Sequence, residues 1–196
     1  MTVLQRLGGA AALALTVAPL GAAAHPSPKV VLVKHADFIR QTTAGAQQYF
    51  VRTVTIGKQD LAAIRQSTNY TPDDPDVQFF LGQGGSGKTV GVALFQQINT
   101  PHGPLEIGLT FGPDGAVASA VVTTATVETK PWVLEATGTG LMKHFVGMRQ
   151  GDDTRKALQG VEGQLSGMPQ YMAELIATAV GRGLVLYGTL YKESTS

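Results

Sequence analysis

The chain has 196 residues, and its 15 lysine and arginine side chains nearly balance 14 aspartate and glutamate side chains, giving a formal net charge of +1. This balance leaves no basic surface of the kind that binds nucleic acid or an anionic membrane. Cysteine is absent, which excludes disulfides, thiolate metal sites and a lipid-bearing cysteine. Packing alone must therefore stabilise the fold.

The first 24 residues have the pattern of a signal peptide. Arg6 is their only charge, an apolar run follows at 7–20, and Gly-Ala-Ala-Ala occupies 21–24. The run is shorter than the ~20 residues of a spanning helix, although a retained anchor is the alternative. The pattern predicts cleavage after Ala24, a periplasmic or secreted location, and a single domain at 25–196 without a membrane span.

The first part of this domain is predicted to contain two short helices and a strand. An apolar run at 30–33 precedes a helix beginning at His35 and reaching Gln41. Residues 49–56 are rich in aromatic and β-branched side chains and predict a strand, and 58–66 form an amphipathic helix. Two prolines and three aspartates make 71–76 a loop.

A sheet pattern begins at Val77. Strands are predicted at 77–81, 90–98, 105–111 and 116–124. The third strand alternates, with Leu105, Ile107, Leu109 and Phe111 on one face and Glu106, Gly108 and Thr110 on the other. Gly-Pro-Asp-Gly at 112–115 is a turn between two strands, so we expect an antiparallel meander.

Helices return after Pro131. One is predicted at 132–146, and a long C-terminal helix at 169–190 has apolar residues repeating every three or four positions. This helix is expected to pack on the sheet. Strands followed by helices, without strict alternation, predict the α+β class.

Residues 82–89, GQGGSGKT, match the phosphate-loop pattern at Gly82, Gly87, Lys88 and Thr89. That motif requires a helix to begin at its lysine. The sequence that follows, Val-Gly-Val-Ala-Leu-Phe, is strand-like. We therefore expect a hairpin loop whose glycines allow positive φ angles.

Five segments follow one another from Val77 onward: VQFFLGQGGSGKTVGVALF, LEIGLTFGPDGAVASAVV, ATVETKPW, HFVG and QLSGMPQYMAELIATAV. Their order resembles the FMN-binding domain family, which includes flavin-carrying subunits of the sodium-pumping NADH:quinone reductase and of the Rnf electron-transport complex. With a lead-in from about Val31, the resemblance covers nearly all of 25–196. It implies an extracytoplasmic electron-transfer or accessory redox domain with a redox partner protein at the membrane.

The resemblance also implies cofactor-binding residues. In many family members a threonine in a Ser/Asp-Gly-Ala-Thr motif is joined to the flavin phosphate, whereas here Ser166, Gly167 and Met168 are followed by Pro169. Proline has no hydroxyl, so FMN is expected to bind noncovalently. Ser166 is expected to cap the helix and leave N–H groups for the phosphate.

The segment beside the flavin in the family corresponds to Glu128 and Thr129, followed here by Lys130 and Pro131 instead of the family's Pro-Gly. Trp132 could line the flavin ring, although a core position is the favoured interpretation.

Two alternatives remain open. A degenerate family member could keep the fold as a cofactor-free binding or assembly module. A mature N-terminal His25 could instead chelate copper, with His35, His102 or His144 as partner. The aspartates at 73–76 and 152–153 lack the spacing of a calcium loop, and no nucleophile-elbow pattern predicts a hydrolase.

Overall fold

The computed structural model describes residues 27–191, so the proposed signal peptide and His25 lie outside the described residues. The strands are β1 (Lys29–Val31), β2 (Gln48–Thr55), β3 (Asp76–Gln83), β4 (Thr89–Thr100), β5 (Gly103–Phe111) and β6 (Val117–Thr126). The helices are α1 (His35–Thr42), α2 (Lys58–Thr68), α3 (Lys130–Gly138), α4 (Lys156–Gln159) and α5 (Gly167–Leu190). A 3₁₀ turn spans Leu141–Phe145.

The six strands form one antiparallel sheet in the order β1-β6-β5-β4-β3-β2. Strands β2 to β6 follow one another as a meander, and β1 pairs with β6 at the opposite edge from β2. The predicted α+β class, antiparallel meander and long C-terminal helix are confirmed. The chain must cross the sheet between β1 and β2, and α1 lies on this crossing.

One face of the sheet, called here the α5 face, carries the main core. α5 lies along β4 and β5, and α2 and α3 pack on both sides of it. The alternation predicted for β5 is confirmed, since Leu105, Ile107, Leu109 and Phe111 are all buried in this core. By length and composition α5 could cross a membrane, but more than half of its most apolar stretch is buried in the protein.

The opposite face, called here the α1 face, carries a much smaller core. Phe38 and Ile39 of α1 are buried with Ala93 of β4, and Phe80 and Phe95 pack against them. Helix α1 lies very close to the sheet, because a Cβ atom at position 108 would be 2.8 Å from the Phe38 ring. Glycine at that position therefore permits the close approach.

The prediction of one helix at 132–146 is wrong. Helix α3 begins two residues earlier, at Lys130, and ends at Gly138, and the chain then turns into the 3₁₀ segment. Gly140 has φ of 87°, a left-handed conformation that a continuous helix cannot contain. Leu141 and Phe145 are nevertheless buried, so the apolar spacing that suggested one helix is satisfied by two short elements.

The phosphate-loop pattern lies in the β3–β4 hairpin. Gln83 pairs with Thr89, and β4 begins at Thr89 where a nucleotide-binding protein would begin a helix. Gly87 has the positive φ angle of a turn glycine. The expected hairpin loop is confirmed.

Strands β3 and β4 pair along only part of their length. The pairing extends from Phe80 with Ala93 to Gln83 with Thr89. Toward Asp76, β3 pairs with β2 alone, and the C-terminal half of β4 pairs with β5 alone. The two strands thus diverge and leave a cleft between them, called here the β3–β4 cleft.

Candidate functional site

The start of α5 presents free polar groups to solvent. Ser166 and Gly167 are exposed, Met168 is half-buried, and Pro169 is buried in the first turn. The Ser166 side chain makes no capping hydrogen bond, so the expectation that it caps the helix is wrong. The first amides of α5 therefore have neither an intrahelical partner nor a side-chain cap.

Glu128 and Thr129 lie in the turn between β6 and α3. Glu128 Oε1 accepts a hydrogen bond from His102 Nδ1 at 2.7 Å, and both side chains are partly exposed. Thr129 is only 1% exposed, and its hydroxyl accepts a hydrogen bond from the Thr126 amide. The Thr129 hydroxyl thus holds the turn that presents Glu128.

Trp132 lies at the first turn of α3, beside this ion pair. It is half-buried and packs against the main core, as the favoured interpretation expected. Its ring meets the His102 ring edge to face, with centroids 5.3 Å apart. A tryptophan in this position has a buried side and also borders the surface around Glu128.

The residues that the family resemblance implies thus fall into two groups, one at the start of α3 and one at the start of α5. These two helices pack against each other. No hydrogen bond or ion pair within 27–191 joins Glu128 or Thr129 to Ser166, Gly167 or Met168. The uncapped amides fit a phosphate, and the Trp132–His102 pair offers an aromatic surface for a ring system.

A second polar cluster lies on the α1 face. His35 Nε2 donates to Glu106 Oε1 at 2.7 Å, and the His35 ring stacks on Phe95 with centroids 3.8 Å apart. The same carboxylate oxygen accepts the Thr123 hydroxyl at 2.6 Å and the Thr124 hydroxyl at 3.2 Å. This cluster was not predicted from the sequence. Its only sequence signal is Glu106 on the polar side of the alternating strand β5, the side that faces α1.

The surroundings of Glu106 set its protonation. Burial raises the pKa of the carboxyl, but hydrogen bonds from Thr123 and His35, together with the attraction of the His35 charge, lower the pKa below its ordinary value of 4.5. Glu106 is therefore ionised at neutral pH, and charge-assisted hydrogen bonds of this kind are stronger than neutral ones.

The remaining candidates are dispersed. His35 lies on the α1 face, His102 lies beside the β6–α3 turn, and the His144 ring covers Gly160. Among residues 27–191 no group of three or more metal-ligating side chains occurs. Any site with three protein ligands would therefore need a group from outside this range.

Comparison with models of known protein families, with curated proteins and with solved structures finds no match to this chain.

Proposed function

We propose that the chain is an extracytoplasmic FMN-binding domain that acts in electron transfer, as a carrier or accessory protein, and holds the flavin noncovalently. The observation that carries this proposal is the uncapped, solvent-facing start of a 24-residue helix. It coincides with the segment that resembles the family's phosphate attachment site. A redox partner at the membrane would exchange electrons with the bound cofactor.

The phosphate is assigned to the start of α5. The amides of Gly167 and Met168 and the hydroxyl of Ser166 are the donors there, and the helix dipole favours an anion at this end. Pro169 contributes no N–H group and no hydroxyl, so the anchor is a set of hydrogen bonds and not a covalent bond.

The ring system is assigned to the surface beside the start of α3. Trp132 and His102, whose rings are nearly perpendicular, provide aromatic contacts at this surface, and Glu128 fixes the His102 ring through its Nδ1 atom. The chain would thus bind, orient and partly shield the cofactor. FMN itself would supply the one- and two-electron chemistry.

Titration of the mature domain, residues 25–196, with FMN tests the proposal. We expect quenched flavin fluorescence and a melting temperature that rises with FMN concentration. Riboflavin has the same ring but no phosphate, so it should bind at least about tenfold more weakly if the α5 start holds the phosphate. A domain that stays colourless and shows no FMN-dependent stabilisation would contradict the proposal.

A pair of matched variants locates the anchor. Ser166→Asp places a negative charge at the start of α5, where it favours the helix but repels a phosphate. Ser86→Asp adds the same charge to the exposed β3–β4 loop. FMN binding should weaken about tenfold or more in the first variant and stay unchanged in the second.

A second candidate function, copper binding, is favoured by one contact. The Glu128 amide donates to the Ser27 hydroxyl at 3.2 Å, which holds the start of the described chain beside the His102–Glu128 pair. His25 is two residues earlier in the sequence, and two residues of chain can span at most about 7 Å. With Nδ1 bonded to Glu128, His102 keeps Nε2 for a metal, an arrangement common among metal-bound histidines.

Copper(II) titration followed by electron paramagnetic resonance tests this candidate on protein whose N-terminal His25 is verified by mass spectrometry. Nitrogen ligation should be altered in His102→Ala and unchanged in His144→Ala. Protein that retains Ala24 should lose the site, because His25 then has no free amine. Equal spectra from all forms would contradict it.

A further inference from the structure

The β3–β4 cleft is a cavity of about 850 Å³ that opens where the two strands diverge. Phe80 and Phe95 contribute aromatic walls, and Leu186 of α5 reaches its inner end. Carboxylates and amides provide its polar groups, chiefly Asp73, Asp74, Asp76, Gln78, Gln96 and Gln97. No residue assigned above to the flavin lines it.

Gln96 is the buried polar group of this cleft. The residue is only 5% exposed, and its Nε2 atom donates to the Gln97 backbone carbonyl at 2.8 Å and to the Tyr70 hydroxyl at 3.3 Å. A carbonyl can only accept a hydrogen bond, so this contact fixes which end of the amide is nitrogen. Oε1 then accepts no hydrogen bond within residues 27–191 and is in contact with solvent, since the one fully enclosed side-chain atom without a partner there is Thr110 Oγ1.

Other groups in the cleft also offer acceptors. Gln97 donates a hydrogen bond through Nε2 to Asn99, so its Oε1 atom can accept a hydrogen bond from a ligand. The three side chains that hydrogen-bond to the Glu106 carboxylate all do so at Oε1, so Oε2 can accept a hydrogen bond from a ligand. Asp73 is exposed and has no described partner. The cleft therefore offers acceptor atoms that suit a ligand which donates hydrogen bonds.

The charges favour the same ligand. Three aspartates line the cleft together with the His35–Glu106 pair, whereas no lysine or arginine within residues 27–191 does. Arg182 lies over the Tyr70 ring, 4.3 Å from its centroid, but is not among the lining residues. Phe80 stands edge to face against Phe95, so aromatic rings border the carboxylates, a combination that attracts organic cations.

We infer that the β3–β4 cleft binds a small organic cation, an amine or guanidinium compound, with its charged end held by Asp73 and the Gln96 and Gln97 oxygens. This site does not depend on the flavin. It gives the domain a ligand-binding role on the α1 side of the sheet and in the gap between its strands.

Calorimetric titration of the mature domain with 1,4-diaminobutane, and separately with 1,4-butanediol, tests this inference. The diamine should bind in the millimolar range or tighter, and the diol, which has the same length without charge, should bind at least about tenfold more weakly. Added salt should weaken the diamine alone. Absence of diamine binding, or equal binding of the diol, would overturn the inference.

Three variants assign the site. Asp73→Asn should weaken diamine binding about three- to fivefold, and Gln96→Leu, which removes the Oε1 acceptor, about five- to tenfold. Glu135→Gln removes an exposed carboxylate of α3 and should change nothing. If Gln96→Leu does not fold, the comparison of diamine binding by Asp73→Asn and by Glu135→Gln still decides the question. Equal weakening in those two would mean nonspecific attraction and would refute the site.

Discussion

The two faces of the sheet differ in what they bury. The α5 face holds most of the buried apolar side chains under three helices, while the α1 face is covered by one helix of 8 residues and keeps His35, Glu106 and the cleft near solvent. Apolar burial supplies most folding free energy. Stability therefore comes mainly from the α5 face, and the α1 face can hold polar groups and ligands.

Removing one aromatic ring from each face gives the largest expected difference. Phe111 is fully buried and stacks on Tyr187 with centroids 3.8 Å apart, so Phe111→Ala should lower the free energy of unfolding by about 3–5 kcal/mol. Phe95 on the α1 face is only half-buried, and Phe95→Ala should cost about 1–2 kcal/mol. Urea unfolding of both variants measures the contrast, and equal losses would remove the distinction between the faces.

The Glu106 cluster should make the α1 face sensitive to acid. Since the pKa of Glu106 is lowered in the folded state, the unfolded chain binds its proton more readily. The resulting stabilisation is complete above the unfolded pKa, near 4.5, and is lost as the pH falls through the folded pKa.

Glu106→Gln should accordingly reduce the free energy of unfolding by about 1–2 kcal/mol at neutral pH. The difference from wild type should shrink below about pH 4.5, as urea unfolding across a pH series would measure. The exposed Glu135→Gln variant serves as control. A difference that stays constant down to low pH would show that the carboxylate charge is not what stabilises the cluster.

The smallest expected effect lies at the other histidine–glutamate pair. His102 and Glu128 are both partly exposed, and exposed ion pairs contribute little. Glu128→Gln should change the free energy of unfolding by less than about 1 kcal/mol. It should nevertheless weaken FMN binding, because the neutral amide orients the His102 ring less strongly than the carboxylate does. A large loss of stability would instead make this pair part of the structural core.

Regular elements could be predicted from the sequence because their signals are local. Alternation in β5 and the three- and four-residue repeat of α5 each indicated which face is buried. The helix predicted at 132–146 failed because Leu141 and Phe145 keep helical spacing although Gly140 breaks the helix. Apolar spacing records burial and does not record continuity of the backbone.

The polar clusters depend on contacts between distant positions. His35 and Glu106 are 71 residues apart, and His102 and Glu128 are 26 apart. Neither pair has a local pattern. The β3–β4 cleft is equally hidden, because both strands have ordinary strand sequences and only their divergence creates it. Such features arise from topology, so a single sequence does not reveal them.

The central claim, flavin binding between the starts of α3 and α5, is tested most directly by the fluorescence of Trp132, the chain's one tryptophan. As FMN is added to the mature domain, its emission should fall and saturate at one FMN per chain. Ser166→Asp should shift the titration to higher FMN concentration, and Ser86→Asp should leave it in place. Tryptophan emission that FMN does not change, after correction for flavin absorbance, would contradict the account.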